Sequence, residues 1–331
     1  MFIPNAGCEH DCVFCDQRLI SGEISPAGPE IVHEALSREM SMAECCGHSR
    51  RPIELAFYGG SFTAIPVELQ NELLSAALPF LQPDSRNTIR ISTRPDCIDK
   101  PTVDRLKNFG VATIELGVQS MCDDVLVRTR RGHTSSDVIR ASEIIKDAGI
   151  SLILQMMTGL PGDTREKSFD TAKLLIELKP DGVRIYPTVI VRGTELFNMW
   201  RRGQYHEHSV GEAIELCAEL CVLFEQAGIP IIRLGLNPSD TLSAGDAVAG
   251  AYHPAFGELV YSRIYYNKAV TLLDDVLPHS GVTIAVSKGN VSKMAGHRRQ
   301  NIRALEEKFS LRTIKIVESD IKPGEIMIEI N

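Results

Sequence analysis

The chain is 331 residues long, with 44% hydrophobic and 24% charged residues and a formal net charge of −8. This length allows one large barrel-type domain or two ordinary domains. The acidic balance excludes a globally basic protein that binds nucleic acid non-specifically, but it allows a local basic groove. The longest apolar runs, such as residues 150–154, are far too short to span a bilayer.

Predicted strands and helices alternate along the first two thirds of the chain. The strands are expected at residues 1–4, 53–58, 88–92, 113–118, 151–156 and 182–186. The helices are expected at residues 29–44, 66–81, 101–109, 135–148, 165–178 and 210–227. Such alternation predicts a parallel sheet with right-handed crossovers, and six units fit a partial (β/α) barrel of the TIM type rather than a full one.

The pattern changes after about residue 231. A glycine- and alanine-rich stretch leads to a helix at 262–273, a strand at 282–286, a helix at 292–309, and strands near 313–317 and 325–330. We therefore predict an α/β protein with two domains, a barrel at residues 1–235 and a small α/β appendix at residues 236–331.

The nine cysteines occur in a chain that does not open with a charged, then apolar, then small-residue leader. Reduced thiols and metal ligands are therefore expected rather than a disulfide framework, and the protein is expected to be cytoplasmic.

Three of these cysteines, Cys8, Cys12 and Cys15, lie in one loop directly after the first predicted strand. Iron–sulfur clusters usually have four thiolate ligands, so three would leave one iron open to a small molecule. Two alternatives remain. His10 could complete a Cys3His zinc site, although closed zinc sites usually pair Cys-x-x-Cys with a second, distant pair. The cysteines could also be structural.

The cysteine spacing, with the aromatic Phe14 just before the last cysteine, resembles the radical S-adenosylmethionine (SAM) enzymes. In that family three cysteines hold a 4Fe–4S cluster and SAM chelates the fourth iron. The resemblance implies that Cys8, Cys12 and Cys15 bind such a cluster, with Phe14 beside the cofactor. It also implies SAM as a cofactor and an electron donor such as flavodoxin or ferredoxin.

Gly59 and Gly60 end the second predicted strand, where two glycines let a ligand approach the backbone carbonyls. A Gly-Gly pair also makes ordinary turns. Its place one strand after the cysteines resembles the element that holds the amino group of SAM in the same family. Ser61 here replaces the acidic residue of that element.

Ser92, Thr93 and Arg94 follow the third predicted strand. The hydroxyls could bind ribose, and the Arg94 guanidinium could bind the carboxylate of SAM. The alternative for Arg94 is an ion pair with Asp96 at the end of the strand.

Gln119 lies at the end of the fourth strand, Gly159 follows the fifth, and Tyr186 ends the sixth. Parallel α/β sheets carry their chemistry at these strand ends. We expect all three to contact the cofactor, although Tyr186 could instead pack in the core or face the substrate. The basic residues 130–134 precede a helix and could bind an anion or simply cap that helix.

Several stretches in order along residues 1–235 resemble the radical SAM domain of the Elongator catalytic subunit and its short bacterial relatives. These stretches are residues 57–62, 92–96, 116–120, 131–134 and 186–205. The resemblance implies reductive cleavage of SAM to a 5′-deoxyadenosyl radical that acts on an RNA base, with tRNA as a partner. The Elongator subunit spaces its first two cysteines further apart, and residues 231–331 contain no acetyl-CoA phosphate-binding loop, so only the radical half is implied.

Two other functions remain open on the sequence. One is a radical SAM enzyme for a small molecule such as a porphyrin precursor, and the other is a cluster-bearing RNA-binding or sensor protein without turnover. Basic residues in the appendix could form a solvated face or dock RNA; they are Lys288, Lys293, His297, Arg298, Arg299 and Arg303.

Overall fold

The computed structural model describes residues 1–3, 12–16, 28–45, 52–81, 86–237 and 245–331. Cys8 and His10 lie outside the described residues. The chain divides into two compact units, Met1–Ser209 with Phe224–Tyr252, and Val210–Leu223 with His253–Asn331. The predicted domain boundary at residue 235 stays a prediction.

The first unit contains a parallel sheet of seven strands. In sheet order the strands are β1 (Phe2–Ile3), β2 (Glu54–Gly59), β3 (Thr88–Thr93), β4 (Val111–Gln119), β5 (Ser151–Thr158), β6 (Gly182–Pro187) and β8 (Ile231–Leu234). The six predicted strands are β1 to β6, so the partial barrel of parallel strands is confirmed. The edge strand β8, only four residues long, had not been predicted.

Helices connect these strands. They are α1 (Pro29–Cys45), α2 (Val67–Ala77), α3 (Lys100–Asn108), α4 (Asp123–Arg128), α5 (Ser135–Asp147), α6 (Arg165–Glu177), α7 (Glu195–Arg201) and α8 (Val210–Gln226). Several begin at an oxygen-bearing cap, and α5 has a full capping box between Thr134 and Asp137. The short strands β7 (Val189–Val191) and β9 (Ala247–Gly250) pair antiparallel. One face of the sheet is apolar at its centre, where Ile114, Leu116 and Leu154 are fully buried.

The second unit contains α9 (Phe256–Leu273), β10 (Gly281–Ser287), α10 (Val291–Ala295), α11 (Gln300–Lys308), β11 (Thr313–Ser319) and β12 (Ile326–Ile330). Strand β10 lies in the middle, parallel to β11 and antiparallel to β12. The prediction of one helix over residues 292–309 is wrong. The helix breaks after Ala295, where Gly296 has a φ of 74° and Arg298 and Arg299 are left-handed, with φ of 48° and 61°.

No helix in the described part of the chain combines the length and apolar character that crossing a membrane requires.

Candidate functional site

The described part of the cysteine loop, residues 12–16, is fastened to the barrel on both sides. Val13 is buried, its N–H donates to the Thr129 carbonyl over 3.2 Å, and its own carbonyl accepts from the Leu196 N–H over 2.7 Å. The Cys15 N–H donates to the Cys12 carbonyl over 3.1 Å, which folds these residues into a turn. The two thiols are therefore held on one short turn, with both cysteines partly exposed.

Phe14 packs with the cluster of buried residues Ile190, Leu196 and Tyr205. The aromatic ring before the last cysteine thus helps to seat the loop on the barrel. Its predicted place beside a cofactor stays a prediction.

The segment after α4 carries two buried polar side chains, and the first of them, Arg131, reaches this loop. Arg131 is 7% exposed; its Nη1 lies 3.3 Å from Cys12 Sγ and its Nη2 donates to the Gly117 carbonyl over 2.7 Å. His133 Nε2 lies 3.1 Å from the Val118 carbonyl, while Nδ1 has no hydrogen-bond partner among the described residues. Burial, aided by the charge of Arg131, lowers the pKa of His133 to about 4. His133 is therefore neutral at pH 7.

Hydroxyl groups join the carboxyl ends of β2 and β3. Thr93 Oγ1 lies 2.8 Å from Ser61 Oγ and 2.6 Å from Thr63 Oγ1. Ser61 Oγ also accepts from the Arg94 N–H over 3.2 Å. Gly59 ends β2 with a φ of 117°, which favours glycine. Ser61 and Thr93, two of the predicted contacts, are thus joined by a buried hydrogen bond.

Arg94 forms the ion pair with Asp96 that the sequence offered as an alternative. Its Nε and Nη2 donate to the two carboxylate oxygens over 3.0 and 2.8 Å. Burial would lower the pKa of Arg94, but the hydrogen bond and charge of Asp96, with a contribution from Cys12, raise it above its ordinary value. Arg94 Nη1 is buried and has no hydrogen-bond partner among the described residues.

The other predicted contacts also lie at the carboxyl edge of the sheet. Gln119 ends β4 with a left-handed φ of 69° and is 4% exposed. Such strain in a buried residue is typical of functional sites. Its side-chain oxygen accepts from the Gln155 amide over 3.3 Å. Gly60 and Ser92 lie at the ends of β2 and β3 and are partly buried.

Gly159 follows β5 and lines a cavity of about 290 Å³ with Asp163 and His208 among its walls. Its carbonyl accepts from the Tyr205 hydroxyl over 2.6 Å, and its N–H donates to Asp163 Oδ2 over 2.8 Å. Burial raises the pKa of Asp163 despite its hydrogen bonds with Ser168, Gly159 and Thr164. A side chain at position 159 would meet the His208 ring, so the loop needs glycine there.

A polar network inside the barrel includes residues that the sequence analysis did not single out. Arg184 Nε lies 3.0 Å from Glu115 Oε2, and its Nη2 and Nη1 donate to the hydroxyls of Tyr58 and Tyr186 over 2.9 and 3.3 Å. Burial raises the pKa of Glu115 against the effect of Arg184 and Arg90, and it also raises the pKa of Tyr186. Polar residues at every second position of buried strands were the signal that could have revealed this network.

The model for the Radical SAM superfamily matches residues 2–175, and the model for the Radical_SAM C-terminal domain matches residues 180–266. Because the first match covers more than half of the chain, the protein belongs to the radical SAM superfamily and is a radical SAM enzyme. That family in general uses SAM and a 4Fe–4S cluster.

Named relatives point to one branch of the superfamily. A tRNA uridine(34) acetyltransferase from Methanocaldococcus jannaschii is 32% identical over 239 residues, which are 66% of this chain and 43% of the relative. Elongator complex protein 3 from Saccharomyces cerevisiae is 32% identical over 197 residues, 54% of this chain and 35% of the relative. The chain thus spans less than half the length of these two relatives. The resemblance to the Elongator radical SAM region is confirmed.

Solved structures agree with this fold. The archaeal Elp3 of Methanocaldococcus infernus gives a TM-score of 0.61 at 25% identity, covering 77% of this chain and 68% of that one. Coproporphyrinogen III oxidase from Escherichia coli gives a TM-score of 0.50 at 19% identity, covering 69% of this chain and 52% of that one. The second likeness extends to the fold alone.

Proposed function

We propose that Cys8, Cys12 and Cys15 hold a 4Fe–4S cluster and that the barrel binds SAM beside it. When bound, the cluster supplies the electron that splits the SAM sulfonium into methionine and a 5′-deoxyadenosyl radical. The observation that carries this proposal is the turn bearing Cys12 and Cys15, fastened at the carboxyl edge of the sheet next to Arg131. Thiolates are the usual protein ligands of such clusters, so the donor set fits.

The electrostatics of the site support the same assignment. A buried guanidinium is costly unless a negative charge faces it, and a neutral thiol is only a weak acceptor. Arg131 faces Cys12 Sγ, and a negative charge on Cys12 would also raise the pKa of Arg94. Metal-bound thiolates would supply the missing negative charge.

In this proposal SAM binds along the carboxyl edge of β2 to β6. The residues proposed to contact it are Phe14, Gly59, Gly60, Ser61, Ser92, Thr93, Arg94, Gln119, Gly159 and Tyr186. The free Nη1 of Arg94 would hold the SAM carboxylate, and the carbonyls after β2 would accept from its amino group. The hydrogen-bonded hydroxyls of Ser61, Thr63 and Thr93 would orient the ends of β2 and β3 and exclude water.

The proposed substrate is an RNA base, with tRNA as the partner and a low-potential donor such as flavodoxin or ferredoxin as the electron source. The name of the archaeal relative, a tRNA uridine(34) acetyltransferase, supports RNA. Residues 288–303 support it independently, because they carry five lysines and arginines and no acidic residue in a chain of net charge −8. Lys288, Arg298, Arg299 and Arg303 are exposed, and none of them takes part in an ion pair within the described ranges.

The proposal covers the radical reaction only, since the matched relatives extend beyond the region shared with this chain. The test is 5′-deoxyadenosine formation from SAM by anaerobically reconstituted protein with a strong reductant, with and without bulk tRNA. Cys12→Ala is compared with Cys45→Ala, a control cysteine that is exposed at the end of α1.

Cleavage that needs Cys12, tolerates loss of Cys45 and increases with tRNA is the expected result. Cleavage that is unchanged by tRNA would rule out RNA as the substrate but would still support the radical reaction. Absence of cleavage by wild-type protein that carries a full cluster would overturn the proposal.

A further inference from the structure

We propose that Arg131 is a positioning residue that fixes Cys12 and stabilises the reduced state of the cluster bound there. This inference rests on the proposed function, because it assumes that Cys12 is a cluster ligand. It concerns a residue that the family resemblance does not assign, and it predicts a reduction potential rather than an activity.

The Arg131 guanidinium bridges two elements of the barrel. Arg131 spans the gap between the cysteine loop and β4, with Nη1 3.3 Å from Cys12 Sγ and Nη2 2.7 Å from the Gly117 carbonyl. Its planar fork therefore has a fixed orientation, unlike that of an exposed arginine. The side chain is 7% exposed, so solvent screens its charge only weakly.

The positive charge of Arg131 faces no carboxylate partner among the described residues. No ion pair within the described part of the chain includes Arg131, and its Nε has no hydrogen-bond partner there. The carbonyl of Gly117 supplies only a dipole. The positive charge is therefore directed at Cys12 Sγ rather than neutralised by a carboxylate.

The fit around Gly117 is close, because a Cβ there would lie 3.2 Å from Arg131 Nη2 and 3.0 Å from Gln119 Nε2. The main chain of Arg131 is also fixed, since its N–H donates to the Leu126 carbonyl over 3.0 Å. Backbone and side chain together hold the guanidinium at the thiol.

The consequence follows from general electrostatics. Reduction adds one electron, supplied here by an external low-potential one-electron reductant, and so adds one negative charge beside Cys12. Hydrogen bonds to ligand sulfurs and nearby positive charge favour the reduced state and raise the potential. Removing the Arg131 guanidinium should therefore make reduction harder.

The experiment is a redox titration of anaerobically reconstituted protein without SAM, followed by electron paramagnetic resonance, with iron and sulfide counted per chain. Arg131→Gln is compared with Arg131→Lys and with Arg130→Gln. The last variant loses the same charge from the neighbouring residue, which is exposed.

We expect Arg131→Gln to weaken the reduced state roughly tenfold, which is about 59 mV toward more negative potential for a one-electron couple. Arg131→Lys should fall between that value and wild type, and Arg130→Gln should match wild type. A fully assembled Arg131→Gln cluster at the wild-type potential would overturn the inference. So would an equal shift in Arg130→Gln, because the effect would then be one of general charge.

If Arg131→Gln does not fold or assemble, Arg131→Lys takes its place, since lysine keeps the charge but loses the fork that joins Cys12 Sγ to the Gly117 carbonyl. A smaller shift of the same sign is expected, and an unchanged potential would overturn the inference. Wild-type protein that binds only zinc, or no metal, would instead overturn the proposed function, so the two failures are distinguishable.

Discussion

Arg184 and Glu115 form a buried ion pair inside the barrel, with 3.0 Å between Arg184 Nε and Glu115 Oε2. They come from β6 and β4, which flank β5 in the sheet. The Glu115 side chain is 2% exposed and that of Arg184 is 14% exposed. Two charges in this position depend on each other, because each would otherwise be desolvated without compensation.

Loss of one partner of this pair should destabilise the fold. Glu115→Gln is expected to lower the free energy of unfolding by about 3 kcal/mol, because it leaves Arg184 buried without its counterion. The control is Glu54→Gln, whose carboxylate pairs with Arg90 and is 39% exposed; its cost should stay below about 1 kcal/mol. Equal losses for the two variants, measured by chemical denaturation, would contradict the interpretation.

His133 should make stability depend on pH below neutrality. Its pKa is lowered by burial from 6.5 to about 4, so the unfolded chain takes up a proton in this range while the folded chain does not. Stability present above pH 6.5 should therefore fall as the pH decreases toward 4, by on the order of 3 kcal/mol.

The comparison for His133 is a set of urea unfolding curves at pH 7 and pH 4.5. His133→Gln keeps a donor for the Val118 carbonyl and should lose less stability between the two values than wild type. His206→Gln, at an exposed position, should behave as wild type. A wild-type loss no larger than that of His133→Gln would refute the assignment.

Thr93 should affect the binding of SAM, because its hydroxyl lies between those of Ser61 and Thr63. Thr93→Val leaves the hydroxyls of Ser61 and Thr63 without their buried partner, which costs about 1–3 kcal/mol. Thr93→Ser keeps that partner. We expect weaker SAM binding by reconstituted Thr93→Val, measured by equilibrium dialysis, and near-normal binding by Thr93→Ser. If the two variants bind alike, the hydroxyl group has no part in SAM binding.

The basic stretch of the second unit should set the salt dependence of tRNA binding. Arg298→Asn with Arg299→Asn removes two charges, and asparagine tolerates the left-handed backbone at both positions. Each lost phosphate contact should reduce the slope of log affinity against log salt by about 0.7–0.9. The control, Lys100→Gln with Lys173→Gln, removes two exposed charges that already pair with carboxylates. Filter binding between about 50 and 200 mM salt measures both, and equal slopes would exclude the stretch as an RNA contact.

Local patterns in the sequence predicted most of the barrel. Periodicity located β1 to β6, and the parallel topology then placed Gly59, Thr93, Gln119 and Gly159 along one edge without knowledge of any contact. The failures were also local. One example is the break in the helix predicted at 292–309, which required arginines to take a left-handed backbone that they rarely adopt.

Local patterns in the sequence did not predict contacts between distant parts of the chain. Arg131 and Cys12 are 119 positions apart, and Arg184 and Tyr58 are 126 apart. Residues 130–134 were recognised as a basic cluster suited to an anion, but periodicity says nothing about which side chain meets which thiol. These pairs depend on sheet order and on loop docking, which local spacing does not encode.

The docking of the cysteine loop has a consequence for how this region can be altered. Thr129 holds the backbone of Val13, and two residues later Arg131 reaches the side chain of Cys12. Two residues of one short segment thus contact two neighbouring positions of the loop, one at its main chain and one at its sulfur. An insertion or deletion between residues 129 and 131 would change the spacing of these two contacts. A graft of the cysteine loop onto another barrel must therefore transfer the loop and the segment 129–131 at their original lengths.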